Sequence, residues 1–420
     1  MTDATALQHS LPHAVFLRRL SGAPSATSPE ARLGQGALLA LRLLDLLTEP
    51  QPPHPDAFQY QRTATERFCR ALPPDATETA HLVGLVSGAA DAVQANDVRL
   101  VLPALLAYAH HLEDELRLDE ALDVLETTVR VGGDRIRPSD AIAVRLRMAR
   151  ALRKLNEFDH ADWCYAQAGA LAAAAGDRHS ELVSRLGGAY TLIGRGNLVG
   201  AERRLREVLP DADRWRDRRA QALAYQGLGV VLSTGGRPAE AIPHTWRAFE
   251  LYDDELSRTG VLADLGVMLL TVGDAEGAER ALTEVVRRGG NRDAVQNALI
   301  ELMHCASYRR DRVGFERWRE RCHAELEDMP PNIRADFCLK TGIGRARFGQ
   351  FDRAESMLET ALRIAEDAGL HEMVFRVERI MAGLRDCQRE LTTSPDAVAV
   401  PVSQSDAVRE VSASLAAFRD

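Results

Sequence analysis

Four alanines, Ala121, Ala161, Ala201 and Ala241, stand 40 residues apart. The series continues at Ala278, Phe315 and Ala354, with steps of 37, 37 and 39. Periodicity on this scale marks a chain built from repeated supersecondary units, none of which can bury its apolar face alone. The seven positions serve as a ruler. Twelve residues before each mark stand Ala109, Ala149, Ala189, Gly229, Gly266, Met303 and Gly342, and six of these are small. Nine before stand Leu112, Leu152, Leu192, Leu232, Leu269, Ala306 and Arg345. Five before stand Leu116, Asn156, Gly196, Gly236, Gly273, Arg310 and Gly349, of which five are the Gly or Asn that tolerate a left-handed helix end. Four after stand Leu125, Tyr165, Leu205, Thr245, Leu282, Arg319 and Leu358, mostly large and apolar.

The pattern has a simple physical reading. A small residue lets two antiparallel helices approach closely, and the large residues fill the space above and below that contact. The Gly or Asn turns the chain between the helices. Composition agrees. Aromatics are 5% of the chain, and Ala, Leu and Arg dominate, so helix formers outweigh the residues that strands favour. No apolar run approaches the ~20 residues of a membrane-spanning helix.

These residues resemble the tetratricopeptide repeat, W-x2-L-G-x2-Y followed by A-x3-F and P. The units that carry the resemblance are Tyr225-x2-Leu228-Gly229-x2-Leu232 with Ala241, and Leu262-x2-Leu265-Gly266-x2-Leu269 with Ala278-x3-Leu282. The resemblance implies an all-α, right-handed superhelical array of antiparallel helical hairpins. The period exceeds the usual 34 and the helix-ending Pro is missing, as in the longer-period arrays of bacterial peptide-sensing regulators and of the sensor arms of large regulatory ATPases. The unit at 297–326 departs furthest, with Met303, Phe315 and Arg319 replacing small, small and large.

Five segments are expected. Residues 1–29, rich in Ser, Pro, Ala and Thr, read as disordered or loosely docked. Residues 30–96 read as a helical cap with a degenerate repeat, its helices near Ala31–Leu47, Phe58–Leu72 and Thr77–Ala95, the last capped by Asp75 or Thr77. Residues 97–370 hold seven repeat units, and 371–391 a capping helix. Residues 392–420 read as a linker and a short amphipathic tail, with Val408, Val411, Leu415 and Phe418 on one face.

Catalytic signatures are missing: no Gly-x-Gly-x-x-Gly, phosphate-binding loop, His-Glu-x-x-His or Gly-x-Ser-x-Gly occurs, and no enzyme activity or cofactor is expected. Gly342-Ile-Gly344 follows a helical run, and Gly342 already has a packing role. His304-Cys305 and Cys322-His323 offer four soft ligands, but helix neighbours point about 100° apart. A metal-dependent enzyme built on them is the least favoured reading. The six cysteines form no Cys-x-x-Cys pair and read as free thiols of a reducing, cytoplasmic setting. Met1–Leu20 lacks the charged start and apolar core of a signal peptide. Net charge −9 argues against nucleic-acid partners. The basic stretch Arg203–Arg219, interleaved with acids, reads as a solvated connection broken at Pro210, and 1–96 shows no DNA-reading helix-turn-helix.

What remains is binding. The resemblance implies that first helices line a groove, on the residues one, four and five after the small one and three and six before it. That places His110, Glu113 and Asp114 at one end, then Arg150, Arg153 and Lys154, then Tyr190, Gln226 and Ser233. Val230, Val267 and Leu270 make an apolar middle. Asn297, His304, Tyr308, Asp336 and Arg347 follow. Arg150, Arg153 and Lys154 share one helix face and suit an acidic partner, or pair with acids of neighbouring helices. Leu146 and Arg150 stand where the family's clamp for peptide C-termini would need Lys and Asn, so that clamp is not expected. The four tryptophans read as packing residues between units. The expected function is capture of a protein or peptide segment, by a scaffold or by a sensor whose array changes shape on binding.

Overall fold

The computed structural model describes residues 12–22, 25–48, 54–289, 292–391 and 405–416, with side chains at 328 and 385–391 set aside. Among them every regular element is helical. The chain divides into two compact units, 1–197 and 198–420.

The first unit opens with α1 (Ala14–Gly22), α2 (Pro29–Asp45), α3 (Pro55–Arg70) and α4 (Thr77–Ala95). It continues with α5 (Leu102–Asp114), α6 (Leu118–Gly132), α7 (Pro138–Lys154), α8 (Phe158–Ala175) and α9 (Arg178–Gly194). Two expectations are corrected here. Within 1–29, α1 is a helix that buries Phe16 fully, and His13 just before it is 3% exposed. The cap of α4 is Ala76, with no side-chain hydrogen bond, rather than Asp75 or Thr77. What holds this end is buried charge. Glu78 accepts from Arg19 (3.1 and 3.2 Å), from Arg117 (2.8 and 3.0 Å) and from the Tyr108 hydroxyl (2.8 Å). Burial pushes the Glu78 carboxyl up, but the two guanidinium groups outweigh it and bring its pKa down to about 2.

The second unit comprises α10 (Leu198–Arg214), α11 (Arg218–Thr234), α12 (Pro238–Leu251), α13 (Glu255–Thr271) and α14 (Ala275–Arg288). These are followed by α15 (Arg292–Tyr308), α16 (Arg312–Ala324), α17 (Pro331–Arg347), α18 (Phe351–Asp367), α19 (His371–Leu391) and α20 (Asp406–Ala416). The expected break at Pro210 is not there: α10 runs through it. The N–H that Pro210 lacks would have bonded the Arg206 carbonyl, and both residues are exposed, so water can serve that oxygen. The C-terminal tail is docked. Val408, Val411 and Leu415 of α20 are 1%, 4% and 1% exposed against the core that α12 and α14 share. Phe418, also expected on this face, lies outside the described residues, as does most of the linker before α20.

All seven turn positions of the ruler carry positive φ: Leu116 (57°), Asn156 (64°), Gly196 (76°), Gly236 (76°), Gly273 (85°), Arg310 (59°) and Gly349 (74°). The backbone N–H after each returns to the residue nine before the mark. Examples are Arg117 to Leu112 (2.9 Å), Asp274 to Leu269 (2.9 Å) and Asp311 to Ala306 (2.9 Å). This is the six-to-one bond of the Schellman motif, which satisfies a carbonyl the helix end would leave bare.

Close packing follows the ruler too. A Cβ at Gly266 would stand 2.6 Å from Leu282 Cγ, one at Gly342 2.9 Å from Leu358 Cγ, and one at Gly229 2.2 Å from Thr245 Oγ1. In each pair the residue twelve before a mark meets the residue four after it. The departing unit solves its packing differently. Phe315, large where alanine is usual, is fully buried, and a Cβ at Gly344 would lie 2.3 Å from its ring. Both glycines of Gly342-Ile-Gly344 are therefore contact residues, one against α18 and one against α16.

Candidate functional site

The expected groove residues divide between the two units. In the first unit the three basic residues of α7 meet different fates. Arg150 donates to Glu113 on α5 (2.5 Å), which also takes Arg147 (3.1 Å) and is 6% exposed. Arg147 in turn lies 3.2 Å from His110 Nδ1. Arg153 lies over the ring of Tyr190 on α9, 5.6 Å from its centroid. Lys154 is exposed. One of the three charges is thus neutralised within the fold, one lies over an aromatic ring, and one is open to solvent.

In the second unit Val267 is 42% exposed and Val230 half-buried, on neighbouring first helices. Leu270, expected beside them as groove lining, is corrected to a core residue at 7% exposure. Gln226 accepts the hydroxyl of Tyr252 (2.6 Å) and also bonds Asp264. Burial pushes the Asp264 carboxyl up to about 6, and the Gln226 hydrogen bond offsets only part of that.

Beyond α13 the face turns polar. Lys340, 7% exposed, donates to Glu301 (2.6 Å) and Asp336 (2.5 Å), and Arg376 of α19 stands 3.6 Å from Asp336. Arg347 donates to Ser307 Oγ (2.8 Å), lies 3.5 Å from His304 Nδ1 and sits 5.0 Å from the Tyr308 ring centroid. Tyr308 is 47% exposed, while His304 and Arg347 are half-buried. Burial and the cations Arg347, Lys340 and Arg376 push His304 down to about 3, so it is neutral at ordinary pH. Asp264, Glu301 and Lys340 were not singled out from sequence as binding residues. Lys340 carried one signal, as one of only two lysines, in a stretch otherwise patterned for burial.

Of the four soft-ligand candidates the two cysteines are core residues, His304 is half-buried and His323 is exposed. Cys305 and Cys322 are 1% and 0% exposed, and burial pushes each thiol up to about 12. Among the described residues no three His, Cys, Asp or Glu side chains cluster as a metal site. The tryptophans vary: Trp163 is 56% exposed beneath Arg145, while Trp215, Trp246 and Trp318 are half-buried. Among the described residues no helix is long and apolar enough to cross a membrane.

No protein-family model matches the chain, and no curated protein does so at a significant level. Solved structures do. The apo form of the quorum sensor NprR from B. thuringiensis aligns over 84% of this chain and 92% of its own, at 11% identity and a TM-score of 0.52. The apo form of RapI aligns over 84% and 98% at 8% identity and 0.49, and NprR in complex with its cognate peptide NprX over 80% and 86% at 11% and 0.45. At such identities the likeness is one of fold. The chain has a tetratricopeptide-like α-solenoid fold.

Proposed function

We propose that the protein works by binding a peptide or an extended protein segment along its first-helix faces, in a reducing cytoplasm and without catalysis of its own. The observation that carries this reading is the set of first helices in the second unit, which present Val267, 42% exposed, and the exposed Tyr308 with Arg347 over its ring. An exposed valine and a cation held over an aromatic ring, both on first helices of one unit, offer the two contact types that grip a short segment. Taken by itself, the first unit offers a charged face, with Arg153 over Tyr190 and Lys154 exposed. The solenoid shared with the quorum sensor NprR favours a sensing role over a passive scaffold.

A displayed library of random ten-residue peptides, panned against the full chain, tests the reading. A consensus that is enriched by the wild type and lost with Val267→Asp supports it. Absence of any consensus, or equal enrichment by V267D, refutes it. Small-angle scattering with and without the consensus peptide then separates sensor from scaffold, since only a sensor changes its profile on binding.

A further inference from the structure

Arg347 is placed in an unusual way for this arginine-rich chain. Most of the arginines described above donate to a carboxylate: Arg19 and Arg117 to Glu78, Arg147 and Arg150 to Glu113. Arg347 is half-buried, yet its recorded partners are a hydroxyl, an imidazole and a phenol ring. Among the described residues no Asp or Glu lies within ion-pair distance of it. Glu301 on the facing helix α15 and Asp336 on α17 itself are both held by Lys340.

The neighbours cannot supply the missing charge. His304 is pressed towards its neutral form by burial and by the surrounding cations, and burial also pulls Arg347 below its ordinary value. Arg310 adds a further positive charge acting on Arg347. A guanidinium removed from part of its water without a counter-charge is costly, and a carboxylate would relieve that cost. Its geometry suits one. Arg347 is braced from below by Ser307 and from the side by Tyr308, which fixes the planar fork before anything binds.

We propose that Arg347, braced by Ser307, His304 and Tyr308, is a seat for a carboxylate of the bound segment. This rests on the peptide-binding reading above and adds the ligand's chemistry. Either a free C-terminus or an Asp or Glu side chain can present that group. The arrangement differs from a Lys/Asn clamp, since one guanidinium with neutral neighbours does the holding.

Small probes test the seat without relying on a peptide consensus. The full chain is labelled with ¹⁵N-arginine, and the Arg347 Nε–Hε signal is identified by its loss in Arg347→Lys. It is then titrated with N-acetyl-leucine, with N-acetyl-glutamic acid α-amide and with N-acetyl-leucine amide. The expected result is a saturable shift of the Arg347 signal with at least one carboxylate probe and none with the neutral amide. The stronger carboxylate probe names the source. Calorimetry should show about tenfold weaker binding of that probe to Arg347→Gln, the loss expected for a charge-assisted hydrogen bond, with R347K retaining part of it. An Arg347 signal that stays still, or follows the neutral amide equally, overturns the proposal, as does unchanged affinity in both variants. A missing library consensus bears on the peptide reading alone, because these probes need no groove beyond Arg347.

Discussion

His13 Nδ1 lies 2.5 Å from the carboxylate of Asp123, 110 positions further along the chain. The other ring nitrogen faces Asp45 at 3.1 Å, which is held in turn by Arg130 at 2.6 Å. The contact ties the residue that leads into α1 to both α2 and α6.

Burial alone would lower the pKa of His13, but hydrogen bonds to Asp123 and Asp45 and their charges raise it from 6.5 to about 9. A raised histidine pKa stabilises the fold fully below 6.5, and that contribution is lost as pH climbs through 9. At about 1.4 kcal/mol for each pH unit, the rise puts some 3–4 kcal/mol at stake. Chemical denaturation at pH 7 and pH 10 should show the wild type losing more stability than His13→Asn. Equal losses in the two proteins would remove the latch.

The turns make a second prediction. Leu116 and Arg310 adopt a left-handed conformation that costs a side chain about 1–2 kcal/mol, at positions where Gly196, Gly236, Gly273 and Gly349 do so freely. Leu116→Gly and Arg310→Gly should each raise the unfolding free energy by about 0.5–1 kcal/mol, after the entropy glycine gives the unfolded chain. Gly273→Ala should lower it by a similar amount. Urea titrations decide the matter, and a destabilised L116G would count against it.

Helix contact is tested at Gly266. Its Cβ would overlap Leu282, so Gly266→Ala is expected to cost about 1–3 kcal/mol. Leu282→Ala leaves a cavity of its own, yet the double variant should be more stable than the sum of the two losses. Additive losses would mean that the two positions do not press on each other.

Asp264 predicts a pH effect of opposite sign. Its folded pKa of about 6 lies above the ordinary carboxyl value, so stability falls as pH rises from 4 to 6. Asp264→Asn keeps the shape and drops the buried charge. It should add about 1–2 kcal/mol at pH 7 and flatten that slope. An unchanged slope in the variant would show that the carboxyl is not responsible.

Residues whose role is set by the repeat were legible from sequence. The seven turn positions and the glycines at 229, 266 and 342 answer to backbone geometry and to one neighbour at a fixed distance along the chain. Even Leu116 and Arg310, the wrong residue types for their turns, follow it. The candidate site was less legible, because side-chain partners depend on where neighbouring helices end their own side chains. Arg150 and Arg347 both occupy first-helix face positions, yet Arg150 meets Glu113 and Arg347 meets no acid. Nor could periodicity show that α1 and α20 dock, since each is held by contacts with residues more than 100 positions away, such as Asp123 for His13 and Asp274 for Ser412.

The burial of Lys340 has a practical side. The chain contains only two lysines. One is enclosed with Glu301 and Asp336 and holds its proton tightly, raised above its ordinary value by those acids despite the burial that opposes them. Amine-directed reagents therefore find a single accessible side chain, Lys154, besides the chain's α-amine. A dye, crosslinker or biotin introduced by ordinary acylation would come to rest next to Arg150 and Arg153, on the first unit's candidate face. A reporter of occupancy at that face can be installed without altering one residue.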